Sequence, residues 1–212
     1  MPLLFRYTTP LLGVWKMDET SDELLAMLGD DASTLEGLRQ LTAERRRREW
    51  LASRVLLKTL MGKECRVAYH ADGAPYLPDS TLYISISHTE GYAAVLLQKE
   101  GAAGIDIERR QPRVLRVRSR FLSEEEDAEV ASSKDDEVSR LLVYWCAKEA
   151  LYKMIRQEEV DFARHLHVEP FRLAEKGEIR AYETRTSMAQ GFDLRYEVTP
   201  DFVLVYNLPT CP

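Results

Sequence analysis

The chain has 212 residues, of which 45% are hydrophobic and 30% charged, and its formal net charge is −6. Apolar runs interleaved with charges of both signs exclude global disorder and supply enough material for one large core or two small ones. The acidic balance speaks against a nucleic-acid binder, whose domains are usually basic, but it allows a local basic pocket for a phosphate ligand.

The segment from Pro2 to Lys16 reads as strand with a turn at Gly13. Its apolar run has neither a long hydrophobic region nor a small-residue cleavage site, so no signal peptide is expected. Asp22 to Leu28 carries apolar residues at helical spacing behind Thr20 and Ser21, which suit a cap. Ala43 to Met61 is the strongest helix of this half. Leu51, Ala52, Val55, Leu56 and Leu60 form its buried stripe, and Gly62 ends it. Val67 to Tyr69 is a short strand, and Ala71 to Pro75 a turn. Leu82 to Ser87 and Tyr92 to Gln98 form a hairpin around Gly91.

A further strand, Ala102 to Ile107, is entered through Gly101 and Gly104. Helices are predicted over Arg113 to Arg120, Glu124 to Ala131 and Val138 to Arg156. The tail alternates strands and turns: Leu166 to Leu173, Glu178 to Glu183, Phe192 to Val198 and Phe202 to Asn207. Helices and antiparallel-looking strands in each half predict an α+β fold rather than a doubly wound parallel sheet. No stretch approaches the roughly 18 apolar residues of a membrane span. The three cysteines, Cys65, Cys146 and Cys211, are odd in number and lack CxxC spacing, which points to free thiols in a reducing cytoplasm.

Four clusters carry chemistry. Asp106 and Glu108 in GIDIE are two apart on a strand and share a face, where they repel unless a cation or proton intervenes. Hard oxygen donors of this kind suit Mg together with phosphate oxygens. In WCAKEALYK, Glu149 and Lys153 are i,i+4 neighbours with Trp145 on the same side. Ser85 to Thr89, SISHT, ends a strand with hydroxyls and an imidazole that can donate to phosphate. Ser87 and His88 are adjacent and point to opposite faces, and no GxSxG elbow is present, so a serine-hydrolase pair is not expected. The run Arg45 to Arg48 opens the long N-terminal helix. Within it Arg48 stands one turn before Leu51 and Ala52 and can face a site while Arg46 and Arg47 face water. Taken singly, these clusters also fit an acidic strand face, a surface ion pair, a turn cap and a solvated basic face.

Their order is more specific. GIDIE followed about forty residues later by WCAKEALYK resembles the paired signatures of the phosphopantetheinyl transferase superfamily, G-[IV]-D-[IV]-E and [FW]-[SCT]-x-K-E-[AS]-x-x-K. SISHT resembles the family's Ser-His strand end. Arg120 to Glu126, RFLSEEE, is similar to its R-F-[FL] segment with a following glutamate. Arg47 to Arg54 resembles the arginine-bearing helix of the long, surfactin-synthetase-type subfamily. The likeness covers roughly residues 44 to 156.

The resemblance implies two similar α+β halves, 1–103 and 104–212, related by a pseudo-twofold with the active site in the cleft between them. It implies Mg-dependent transfer of 4'-phosphopantetheine from coenzyme A to a serine of an apo acyl, peptidyl or polyketide carrier protein, with release of adenosine 3',5'-bisphosphate. Asp106, Glu108 and Glu149 would hold Mg. Lys153 would neutralise the pyrophosphate. Ser87 and His88 would contact the nucleotide phosphates, with Arg48 near the 3'-phosphate. Lys148 and Glu126 match positions at the reacting centre, so that Glu149 or Glu126, directly or through a metal-bound water, would take the serine proton. Ala74 stands where the family often has a cation, in Gly73-Ala74-Pro75. A monomer in the cytoplasm is expected, with no nucleic-acid or membrane partner. The reading from another class is a non-catalytic coenzyme A or carrier-protein binding module, against which the four groups Asp106, Glu108, Glu149 and Lys153 together argue.

Overall fold

A computed structural model describes residues 2–29 and 32–209, with backbone alone at 32–34. Cys211, expected as a free thiol, lies outside the described residues, while Cys65 and Cys146 are free. The fold is α+β, and the chain divides into two compact units, Met1–Gly101 and Ala102–Pro212.

The first unit opens with strands β1 (Leu3–Thr8) and β2 (Leu11–Lys16). Their turn falls at Thr9 and Pro10, and Gly13 lies inside β2, where it had been expected to make the turn. Packing explains that glycine: a Cβ there would lie 2.9 Å from Leu56 Cδ1. Helix α1 (Ser21–Leu28) is capped by Thr20 in a reciprocal capping box with Glu23. Helix α2 (Ala32–Arg39) has no counterpart among the predicted elements, because Gly37 weakens its pattern. A Cβ at Gly37 would meet the Trp50 ring at 2.5 Å, so the close approach of this helix needs a glycine. Helix α3 (Glu44–Met61) buries the predicted stripe of Leu51, Ala52, Val55, Leu56 and Leu60 and ends at left-handed Gly62. Strands β3 (Ala68–Tyr69) and β4 (Pro75–Tyr76) form a small hairpin, followed by β5 (Tyr83–Thr89) and β6 (Tyr92–Gln98). The antiparallel sheet runs β1-β2-β6-β5, and α3 packs on it through Val55, Leu56, Ala93 and Val95.

The second unit begins with β7 (Ile105–Arg109). The helix predicted over Arg113 to Arg120 is instead two 3-10 turns, Pro112–Arg116 and Arg118–Arg120, separated at Val117. Then come α4 (Glu124–Ser132), α5 (Glu137–Ile155) and the short α6 (Phe162–His165). Strands β8 (Leu166–Val168), β9 (Lys176–Glu183), β10 (Gly191–Val198) and β11 (Phe202–Asn207) complete it. Strand β8 stops five residues before the predicted end, two residues ahead of Pro170, which has no N–H to give a ladder. The sheet order is β7-β11-β10-β9-β8, antiparallel throughout, with α5 across it. Gly104, the first residue of GIDIE, lies so close to α5 that a Cβ would sit 2.4 Å from the Ala150 carbonyl oxygen. That contact seats the acidic strand directly against the second signature.

Candidate active site

Asp106 and Glu108 lie two apart on β7, opposite Val205 and Val203 of β11. Both are met by side chains of α5. Lys153 Nζ donates to Asp106 Oδ1 at 2.8 Å and to the Ile105 carbonyl at 2.7 Å. Trp145 Nε1 donates to Glu108 Oε1 at 3.4 Å. Cys146, seven residues before Lys153 and fully buried, donates its thiol to the Val203 carbonyl at 3.9 Å, and that thiol is pushed well up by burial, then by the charges of Asp106 and Glu108. Glu149 stands between these contacts on the helix. Burial first, and the Asp106 and Glu108 charges beyond it, raise its carboxyl to about 7 against the opposing pull of Lys153. Among the described residues no hydrogen bond reaches the Glu149 carboxylate.

The raised carboxyl has a measurable consequence. A carboxyl whose folded pKa exceeds its unfolded value is stabilising at low pH, and that contribution is lost as pH rises through the folded value. In chelator-treated protein, Glu149→Gln is therefore expected to stabilise the fold at pH 8 by on the order of 2 kcal/mol relative to pH 4.5. Chemical denaturation at the two pH values reads this directly, and equal effects at both would show that Glu149 carries no buried-charge penalty.

Lys148 and Glu126 also come together, in a different setting. Lys148 is 0% exposed and Glu126 6%. Lys148 Nζ donates to Glu126 Oε2 at 2.5 Å and to the carbonyls of Phe121 at 2.6 Å and Phe162 at 3.1 Å. Burial lowers the Lys148 pKa, and the Glu126 charge opposes that shift. Glu126 is the N3 residue of the capping box that starts α4, accepting from Ser123 N at 2.8 Å, and its other oxygen accepts from Val168 N at 2.9 Å. The pair thus ties α5, the start of α4, α6 and β8 together.

In the first unit, Arg48 Nε donates to the Glu19 carbonyl at 2.9 Å and Nη2 to the Met17 carbonyl at 2.5 Å. Most of its guanidinium is engaged in holding the segment between β2 and α1. Ser87 is buried on β5 opposite Ala94, and His88 is exposed. Adjacent strand residues face opposite sides, so the two do not share a side of the sheet. His88 Nδ1 lies 3.5 Å from Glu49 Oε2 on α3. Glu49 was not singled out from the sequence, where it closes a run of arginines. The available signal was its helical spacing from Arg45 and Arg46, and both do reach it, at 2.8 and 3.6 Å.

The chemistry of the three acids fits a hard divalent cation: oxygen donors only, two on one strand face, and a third whose carboxyl burial, and then the charges of the other two, raise to about 7. As the side chains stand, no three His, Cys, Asp or Glu among the described residues are grouped closely enough to hold a metal ion.

Residues 102–204 match the 4'-phosphopantetheinyl transferase superfamily, and residues 36–98 match the 4'-phosphopantetheinyl transferase N-terminal domain. The chain is 34% identical over 122 residues to 4'-phosphopantetheinyl transferase AcpT of Escherichia coli O157:H7, covering 55% of this chain and 63% of the relative. AcpT of Escherichia coli K12 gives the same figures, and AcpT of Salmonella typhi is 32% identical over 112 residues, covering 51% and 58%. The chain belongs to the 4'-phosphopantetheinyl transferase superfamily. The match to the separate N-terminal domain accords with the long type expected from the arginine-bearing helix. The chain spans less than two thirds of the length of these curated relatives.

Proposed function

We propose that the protein transfers 4'-phosphopantetheine from coenzyme A to a serine hydroxyl of an apo carrier protein, releasing adenosine 3',5'-bisphosphate. The observation that carries this reading is the meeting of Asp106 and Glu108 on β7 with Glu149 and Lys153 on α5. Three mutually repelling carboxylates beside an ammonium suit a pyrophosphate–metal ligand better than a simple ion pair, which would need one acid. Asp106, Glu108 and Glu149 are assigned to hold Mg. When bound, Mg supplies charge neutralisation for the pyrophosphate and the leaving bisphosphate.

Lys153 is assigned to the pyrophosphate, exchanging part of its contact with Asp106 for phosphate oxygens. We assign the serine proton to Glu149 rather than Glu126. Glu126 already accepts from Ser123 N, Val168 N and Lys148, whereas among the described residues no hydrogen bond occupies the Glu149 carboxylate. Lys148 and Glu126 would then act through the loops that they hold. Arg48, Ser87 and His88 are assigned to the nucleotide phosphates, with Nη1 the part of Arg48 left for the 3'-phosphate. One chain carries all of these residues, so the acting species is taken to be a monomer, checked by light scattering. No helix among the described residues is long and apolar enough to cross a membrane, and the proposed place of action is the cytoplasm.

The direct test is incubation with coenzyme A, Mg and a panel of apo-carriers, read by intact mass. A gain of one phosphopantetheine on a carrier is expected, and no gain on any carrier would defeat the proposal. A second expectation concerns the 3'-phosphate. Dephospho-coenzyme A should bind about 10- to 100-fold more weakly than coenzyme A in calorimetry, the range for one lost charge-assisted hydrogen bond. Equal affinity would remove Arg48 from the ligand set.

A further inference from the structure

We infer that Asn207, at the end of β11, is a positioning residue for the proposed metal site, because its side chain fixes the entry of β7 and with it the seat of Asp106 against α5. The ladder between β7 and β11 pairs Tyr206 with Ile105. One step further along, Asn207 N donates to the Gly104 carbonyl at 3.0 Å. The bond in the other direction is made by the side chain, with Gly104 N donating to Asn207 Oδ1 at 2.9 Å. Asn207 Nδ2 in turn donates to the Ala102 carbonyl at 2.9 Å. One amide therefore grips a donor two residues before Asp106 and an acceptor four residues before it. Asn207 is 6% exposed and its bond from Gly104 is buried, so water does not stand in for it.

Gly104 is the point that this grip presses against the long helix. A Cβ there would lie 2.4 Å from the Ala150 carbonyl oxygen and 2.6 Å from Met154 Cγ. Ala150 follows Glu149 in the chain, and Met154 follows Lys153. On the strand, Ile105 comes next and gives its carbonyl to Lys153 Nζ at 2.7 Å, and Asp106 takes the same ammonium at 2.8 Å. Where Gly104 sits thus sets where Asp106 stands relative to Glu149 and Lys153. Without the amide, the buried Gly104 N–H loses its acceptor, and the start of β7 must lift from α5 to find another. Mg takes oxygen ligands at about 2.0–2.1 Å in near-ideal octahedral geometry, so a displacement that a core tolerates is felt by the metal. Groups that orient ligands without touching the metal typically carry about 10- to 100-fold in affinity. The inference deepens the proposed function and rests on the assignment of Asp106, Glu108 and Glu149 to Mg.

The experiment compares wild type, Asn207→Ala, Asn207→Asp and Ile179→Ala under conditions where urea denaturation shows each to be folded. Ile179 is buried on β9, with β10 and β11 between it and β7, and its variant reports what lost stability alone does. The readouts are Mn affinity by electron paramagnetic resonance, the Gly104 amide signal and its hydrogen exchange, and the Mg concentration for half-maximal transfer. Asn207→Ala is expected to weaken Mn binding about tenfold or more, to raise the half-maximal Mg concentration in proportion, and to speed exchange at Gly104. Asn207→Asp keeps the acceptor for Gly104 N and gives up the donor to Ala102, so its loss of affinity should be measurable but smaller. Ile179→Ala should lose stability and bind Mn like wild type. Unchanged Mn affinity in Asn207→Ala, or an equal loss in Ile179→Ala, would overturn the positioning role. Should Asn207→Ala not fold, Asn207→Asp decides, and wild-type affinity there would overturn it. If Asn207→Ala weakens Mn binding while even wild type modifies no carrier, the transferase reading fails and the positioning role stands. A wild type that binds no Mn would defeat the metal assignment and this inference with it.

Discussion

Asp106→Ala is expected to lower phosphopantetheine transfer by on the order of 10²–10³-fold or more, the range for removing one preorganised electrostatic partner of a developing charge. Asp106 is the acid that α5 serves most closely, since Lys153 pairs with it at 2.8 Å. Its loss removes a proposed metal ligand and leaves Lys153 held by the Ile105 carbonyl alone. The fold should survive, because the same change relieves Glu149 of its strongest charged repulsion. The variant should therefore melt near wild type while turning over little or nothing with coenzyme A, Mg and carrier. Transfer at a near wild-type rate would mean that the site has been placed on the wrong strand.

Much of that site was legible because its residues are fixed by short-range geometry. Strand alternation puts Asp106 and Glu108 on one face, helical spacing puts Trp145, Glu149 and Lys153 on one side, and the structure sets these faces against each other. The long helices were legible for the same reason, since the periodic stripe of Leu51, Val55 and Leu56 is intrinsic to α3. What was missed depends on tertiary partners. The carbonyls that engage Arg48, from the segment before α1 some thirty residues earlier, leave no local trace beside the arginine run. Glu49 looked like part of a solvated run until β5 brought His88 to it. Gly13 read as a turn because nothing local reveals that Leu56 will press against it. Burial of Lys148 was equally hidden: a lysine beside a glutamate on a helix reads as surface, and only the carbonyls of Phe121 and Phe162 make an interior position tolerable.

The fate of that lysine gives the largest expected change in stability. Lys148→Met keeps the helix and much of the side-chain volume but strands the Glu126 charge, which is 6% exposed. Breaking a buried pair by removing one partner typically costs about 3–5 kcal/mol, because the remaining charge is left uncompensated. Glu126 retains Ser123 N and Val168 N as donors, which places the expected loss near the lower end, about 3 kcal/mol. Adding Glu126→Gln removes the stranded charge and keeps an acceptor, so the double variant should be more stable than Lys148→Met alone. The same pair of variants separates scaffold from chemistry. If Lys148 and Glu126 work by holding α4, α6 and β8 to α5, transfer should return as the fold is restored in the double variant. A double variant that denatures like wild type yet stays inactive would instead put one of the two at the reacting atoms. Urea denaturation and carrier modification, measured on the same preparations, decide between these outcomes.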